Sequence, residues 1–162
     1  MVAGKDKLEK VKGTSFAAPL ITGFAACAWQ KMNFLTNMQL FEKIQESSHL
    51  FPYFDYAHGY GVPQASYFVT SLPYEVKTPT FEIVESGDTV FIEVKKEFIS
   101  KNYFQNTNYL FYHIENSSGH LDDYWLVDVY KERAAIILKK DYPDGRILRV
   151  HYKGFTNDFQ LK

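Results

Sequence analysis

Between Phe16 and Trp29 the chain runs for fourteen residues without a charge, and Thr22 carries the only hydroxyl in the run. A helix that is apolar on all sides has to be surrounded by protein or by lipid. A bilayer needs about 20 apolar residues, so protein is the expected surrounding. Pro19 is read as lying in the opening turn, where backbone donors have few helical partners. Gly23, inside the run, points to close packing on a neighbour. Cys27 is the single cysteine, which excludes an internal disulfide framework and a cysteine-based zinc site; among small apolar residues it reads as packing.

Around this helix the charge is balanced. With 18 basic and 19 acidic side chains the formal net charge is −1, so no global field recommends nucleic acid or an anionic membrane as a partner. The first residues, MVAGKDKLEKVKG, lack the apolar stretch of a signal peptide, and no later run reaches membrane-spanning length. The 12 tyrosines and 14 phenylalanines fall mostly after residue 50, in runs that alternate with polar residues as strands prefer.

The composition shift divides the chain. KLEKVK, residues 7 to 12, reads as a short strand or extended arm. Thr36 with Gln39 three residues on forms a capping-box pattern ahead of an amphipathic helix whose buried stripe is Met38, Phe41 and Ile44, with Leu40 beside them. AHGYGVPQASYFV follows, with Pro63 expected as the first residue of a short last helix. Two prolines and no helical period mark residues 71 to 79 as a linker. From Phe81 onward the period is two: FEIVES, TVFIEVKK, NYLFYHIEN, DYWLVDVY, AAIILKK and RILRVHYKG, with turn signals at Gly87-Asp88, Ser118-Gly119 and Asp144-Gly145. Six such strands predict an antiparallel β-sandwich over residues 80 to 162, like immunoglobulin or fibronectin type III modules in architecture.

GTSFAAPLITG, residues 13 to 23, is similar to the active-site serine segment of the subtilisin-like serine proteases, and GYGVP at residues 59 to 63 resembles the turn that closes their catalytic domains. The resemblance covers about residues 8 to 70. It implies that residues 1 to 70 are the C-terminal part of an α/β catalytic domain, its serine helix and last helices, and that the activity is that of a serine endopeptidase acting on peptide or protein substrates without a cofactor. Ser15 would be the nucleophile, with its backbone N–H in the oxyanion hole and Thr14 as a candidate helper there. A serine at a helix N-terminus suits this chemistry, because its amide and the helix dipole favour the negative charge of a tetrahedral intermediate. The Gly-x-Ser-x-Gly elbow of another hydrolase class is absent, Ala17 standing in place of its second glycine.

Subtilisin-like enzymes order their triad Asp, His, Ser. No histidine precedes Ser15, Asp6 is the sole aspartate before it, and no asparagine occurs before residue 33. The expectation is a C-terminal fragment, inactive alone, whose partner is the upstream part of the catalytic domain, from a parent that is secreted or associated with the cell envelope. Read without the resemblance, Ser15 is a simple N-cap. The five histidines, His49, His58, His113, His120 and His151, are too scattered for ligand spacing and read as surface or core packing. Asp122, Asp123 and the DYPDG stretch read as turn chemistry rather than a calcium site, and Trp125 as core rather than a ligand platform. The competing function is a non-catalytic β-sandwich binding or adhesion module.

Overall fold

Residues 2–3, 8–10, 12–70, 78–99, 108–129, 133–138 and 142–161 are described by a computed structural model. They divide into two compact units, Met1–Ser48 with Pro63–Ser71, and His49–Val62 with Leu72–Lys162. Most of the expected linker, residues 71 to 77, lies outside the described residues.

In the first unit, β1 (Val2–Ala3) pairs antiparallel with β2 (Leu8–Glu9), ahead of helix α1 (Thr14–Lys31). Helix α2 (Asn37–Glu46) starts at the expected capping box: Thr36 accepts from the Gln39 amide, and the Gln39 side chain accepts from the Thr36 amide at 2.9 Å. These reciprocal bonds satisfy two of the donors a helix start leaves without partners. Helix α3 is a single turn, Ser66–Val69, starting after Ala65 rather than at Pro63. Pro63 instead forms an isolated bridge with Ser48, and the extended chain this requires delays the helix. The core joins Ala28 of α1, Leu40 of α2 and Phe68 of α3, with Phe24, Met32, Ile44 and Tyr67 packed around them. Tyr67 donates to the Glu46 carboxylate at 2.5 Å, and Lys43 reaches the same oxygen at 2.6 Å, tying α3 to α2.

Several sequence expectations fail here for one reason: periodicity identifies an apolar face but not what covers it. Met38 is 60% exposed and Phe41 53%, so only Leu40 and, partly, Ile44 of the expected α2 stripe are buried. Helix α1 buries Ala28 alone, Cys27 is exposed rather than packed, and beyond the helix's own backbone no described atom lies within 4 Å of where a Gly23 Cβ would stand. Among the described residues no helix is long and apolar enough to cross a membrane.

In the second unit the six predicted strands all form, as β3 (Phe81–Ser86), β4 (Thr89–Val94), β5 (Tyr109–Glu115), β6 (Leu121–Asp128), β7 (Arg133–Leu138) and β8 (Ile147–Tyr152). A further strand, β9 (Phe155–Gln160), follows β8 through the two residues Lys153 and Gly154, at φ 46° and 82°. A turn with positive φ at both central residues matches the twist of paired strands, but its usual markers are Asn-Gly or Asp-Gly. Lys-Gly hides it from a sequence reading.

The strands make two antiparallel sheets, ordered β3-β4-β7 and β6-β5-β8-β9. Both contribute to one buried cluster: Val90, Ile92 and Ile137 from the first, Leu110, Ile114, Leu148 and Val150 from the second. Each such fully buried aliphatic side chain contributes about 1.5–3 kcal/mol relative to exposure. Thr80 adds a bond between the sheets, its hydroxyl donating to the Tyr152 carbonyl at 2.9 Å.

Candidate functional site

Gly13 is the residue at which α1 begins, with φ 148° and ψ 148°, and Thr14 and Ser15 are the first two helical residues. Ser15 is therefore not the N-cap, and no side-chain cap bond forms at this end. The amides of Phe16 and Ala17 donate to the Gly13 carbonyl at 3.1 and 3.4 Å, so the helical ladder starts one residue beyond Ser15. The Ser15 amide thus lies ahead of the first helical bond, among the donors that a helix N-terminus leaves for an anion. Both Ser15 and Thr14 are exposed.

Pro19 is the sixth helical residue, a turn further in than the sequence reading placed it, because the helix starts at Thr14. It supplies no N–H to the Ser15 carbonyl four residues back, which leaves the serine turn with one helical bond fewer. Downstream, the Thr22 hydroxyl donates to the Ala18 carbonyl at 3.0 Å and the Trp29 indole to the Leu35 carbonyl at 3.1 Å. Between these points Phe16, Ile21 and Trp29 are exposed, and Leu20 is 74% exposed.

A second constellation, which sequence reasoning missed, lies in the sheet unit. Strand alternation turns Leu110, Tyr112 and Ile114 of β5 and Leu148 and Val150 of β8 inward, so Phe111, His113 and Glu115, with Arg149 and His151, occupy the opposite face. The segment 49–62 packs on that face. It is a closed loop of Ω type: the His49 amide donates to the Val62 carbonyl at 3.2 Å, the Val62 amide to His49 Nδ1 at 2.9 Å, and the Leu50 amide to the Tyr60 carbonyl at 3.2 Å. Its aromatic side chains pack on one another, Phe54 against both Tyr56 and Tyr60 and Phe51 against Tyr60. Gly61 sits at φ 83°, where an added Cβ would stand 2.4 Å from the His49 ring.

Tyr53 is the anchor of this loop. It is fully buried, with ring centroids 4.9 Å from His113, 5.7 Å from His151 and 6.1 Å from Phe111. Burial, and then the Asp55 carboxylate, push its hydroxyl far above the usual tyrosine range. Asp55 is itself buried and closes the next turn: its carboxylate accepts from the Ala57 amide at 2.9 Å, the His58 amide at 2.6 Å and, through both oxygens, His58 Nδ1 at 3.0 Å. Burial alone would raise the Asp55 carboxyl, but the bonds from the His58 ring and amide outweigh it and hold the group low. The His58 ring meets Phe111 and Tyr124 edge-on at 5.3 and 6.0 Å.

His113 is fully buried and neither ring nitrogen has a hydrogen bond; the Glu115 carboxylate stands 3.5 Å from Nε2. Burial pushes its pKa down, against the pull of Glu115. Arg149 beside it is bidentate to Asp158, at 2.8 and 2.9 Å, and lies 3.4 Å from Glu115. His151 Nδ1 is paired with the Thr156 hydroxyl at 2.8 Å. The alternation that turns Leu110, Ile114, Leu148 and Val150 inward puts His113 and His151 on the other face of two paired strands, and nothing local in the sequence named what covers that face.

The remaining candidates have structural partners. Asp122 pairs with Arg146, and Asp123 accepts from the Tyr142 hydroxyl at 3.4 Å. Trp125 stacks on Tyr112 at 4.7 Å and 18°, half-buried against the core. No group of three or more His, Cys, Asp or Glu suited to a metal ion occurs among the described residues.

The chain matches the Subtilase family over residues 2–61. No curated protein and no solved structure matches it. The matched stretch runs from β1 through α1 and α2 and ends on Gly61, within the loop that packs on the sheet unit. The similarity to subtilases therefore rests on this stretch, which is less than half of the chain.

Proposed function

We propose that this chain is the C-terminal part of a subtilisin-like serine endopeptidase, with Ser15 as its nucleophile and a β-sandwich as an accessory module. The observation that carries the reading is the family match spanning Ser15, a residue standing in the first turn of α1 with its amide ahead of the helical ladder. In the mechanism, Ser15 Oγ attacks the peptide carbonyl carbon while a histidine takes its proton. The Ser15 amide, with Thr14 beside it and the α1 dipole behind, stabilises the resulting oxyanion. Collapse expels the amine, which takes the proton from the histidine, and water then hydrolyses the acyl-enzyme.

The histidine and the aspartate that holds it belong to a further part of the catalytic domain, as the family's order Asp, His, Ser requires. The exposed apolar residues Phe16, Leu20, Ile21 and Trp29 support this, since they form the surface that such a partner would cover. Without it the serine hydroxyl is a weak nucleophile, and the isolated chain is inactive. The strand order supports a sandwich related to the immunoglobulin type, but with β6 beside β5 instead of on the three-stranded sheet. From the resemblance to subtilases alone, we propose that the parent is secreted or associated with the cell envelope.

The test is labelling with a fluorophosphonate probe. The isolated chain stays unlabelled, whereas a longer protein encoded in frame with upstream Asp and His segments labels at Ser15 and not after Ser15→Ala. Absence of such segments, or a longer protein that Ser15→Ala leaves fully active, overturns the protease and favours a binding module.

A further inference from the structure

We infer that the 49–62 loop is a pH-operated latch, docked on the outer face of β5 and β8 at neutral pH and released as His113 takes up a proton. Tyr53 is the side chain of the loop that lies over His113, ring to ring at 4.9 Å, and beneath it the imidazole is fully buried with no hydrogen bond at either ring nitrogen. A proton added there creates a cation in a buried site.

The groups facing this site come from every element around it. The loop supplies Tyr53, Asp55 and His58; β5 supplies Glu115; β6 supplies Tyr124, paired in register with His113; β8 supplies Arg149 and His151; β9 supplies Asp158. Glu115, Asp55 and Asp158 favour a charged imidazole, and Arg149 opposes it. Both Glu115 and Asp158 are already engaged with that guanidinium. Burial exceeds the attraction of the carboxylates, so the docked form holds His113 neutral.

Undocking gives the ring water and an ordinary histidine pKa of about 6.5. Because the docked value is lower, docking is fully stable above about pH 6.5 and weakens as pH falls, by about tenfold per unit until the docked group itself titrates. The sheet does not have to open with it. The inner faces of β5 and β8 keep Leu110, Ile114, Leu148 and Val150 in the core, while the loop, closed by its own bonds between His49 and Val62, can leave as one piece.

Hydrogen exchange of the full chain, read by mass spectrometry between pH 7.5 and 5 and corrected for intrinsic rates, tests this. Loop amides 49–62 lose about tenfold of protection per pH unit below about 6.5, while amides of 109–115 and 147–152 keep theirs, and His113→Phe removes the loop's pH dependence. Proton NMR of the wild-type imidazole, which needs no variant to fold, shows His113 titrating below 6.5. Equal loop protection at both ends of the range, loop and sheet losing protection together, His113 titrating at or above 6.5, or pH dependence persisting in a folded His113→Phe, each overturns the latch.

Discussion

Truncating Tyr53 to alanine tests whether the loop is part of the sheet unit's energetics. An aromatic side chain of this kind buries about 150–250 Å², and at about 25 cal/mol per Å² the lost burial is about 4–6 kcal/mol as an upper bound. Observed truncations of buried aromatics cost about 3–5 kcal/mol, according to how far the site collapses. Tyr53 lies between a surface loop and a sheet face, where neighbouring Phe54 and Phe51 can shift and water can refill the space, so the lower end applies. The expected loss is about 3 kcal/mol, in urea unfolding of the full chain followed by near-ultraviolet circular dichroism. The hydroxyl faces the Asp55 carboxylate without a hydrogen bond of good geometry. Tyr53→Phe should therefore stay within about 1 kcal/mol of the parent. If the alanine variant changes stability by under about 1 kcal/mol, or if phenylalanine is as damaging as alanine, ring burial is not what holds the loop.

Gly61→Ala should destabilise the same unit by about 1–3 kcal/mol, through both its positive φ and the 2.4 Å approach to the His49 ring; an unchanged urea midpoint would refute that geometry. Thr36→Ala should cost about 1 kcal/mol by removing the capping box of α2, visible as reduced helical ellipticity at intermediate urea. Ser15→Ala should leave stability within about 0.5 kcal/mol, because Gly13 and not Ser15 caps α1; a larger loss would return Ser15 to a capping role.

Local signals carried far in this sequence where the physics is local. Thr36 and Gln39 are three residues apart, and a capping box needs nothing else. Strand alternation likewise located β3 to β8, since each strand buries one face in a shared core. The same reasoning lost β9, because its turn uses Lys153 at a positive φ where asparagine or aspartate would have announced it. It also gave α2 a buried stripe in which Met38 and Phe41 are exposed, since a moment along a helix does not say how wide the contact is. At the serine, the motif located the helix start to within a residue or two, but Gly13 rather than Ser15 takes the cap. The 49–62 loop was illegible for a different reason. Its glycines, Asx turn and aromatics describe a closed loop, whereas its docking depends on His113 and His151, far along the chain.

That separation sets a schedule for synthesis. Tyr53 leaves the ribosome roughly a hundred residues before His151, and at about 5–20 residues per second the interval is about 5–20 s. Until His151 is made Phe51, Tyr53 and Phe54 lack the complete sheet face, so Tyr53 is not fully covered before β8 joins β5. The rate at which residues 54 to 151 are translated governs how long this aromatic cluster is offered to chaperones or to other nascent chains. Slow codons in that stretch lengthen the exposure, and those before Tyr53 do not.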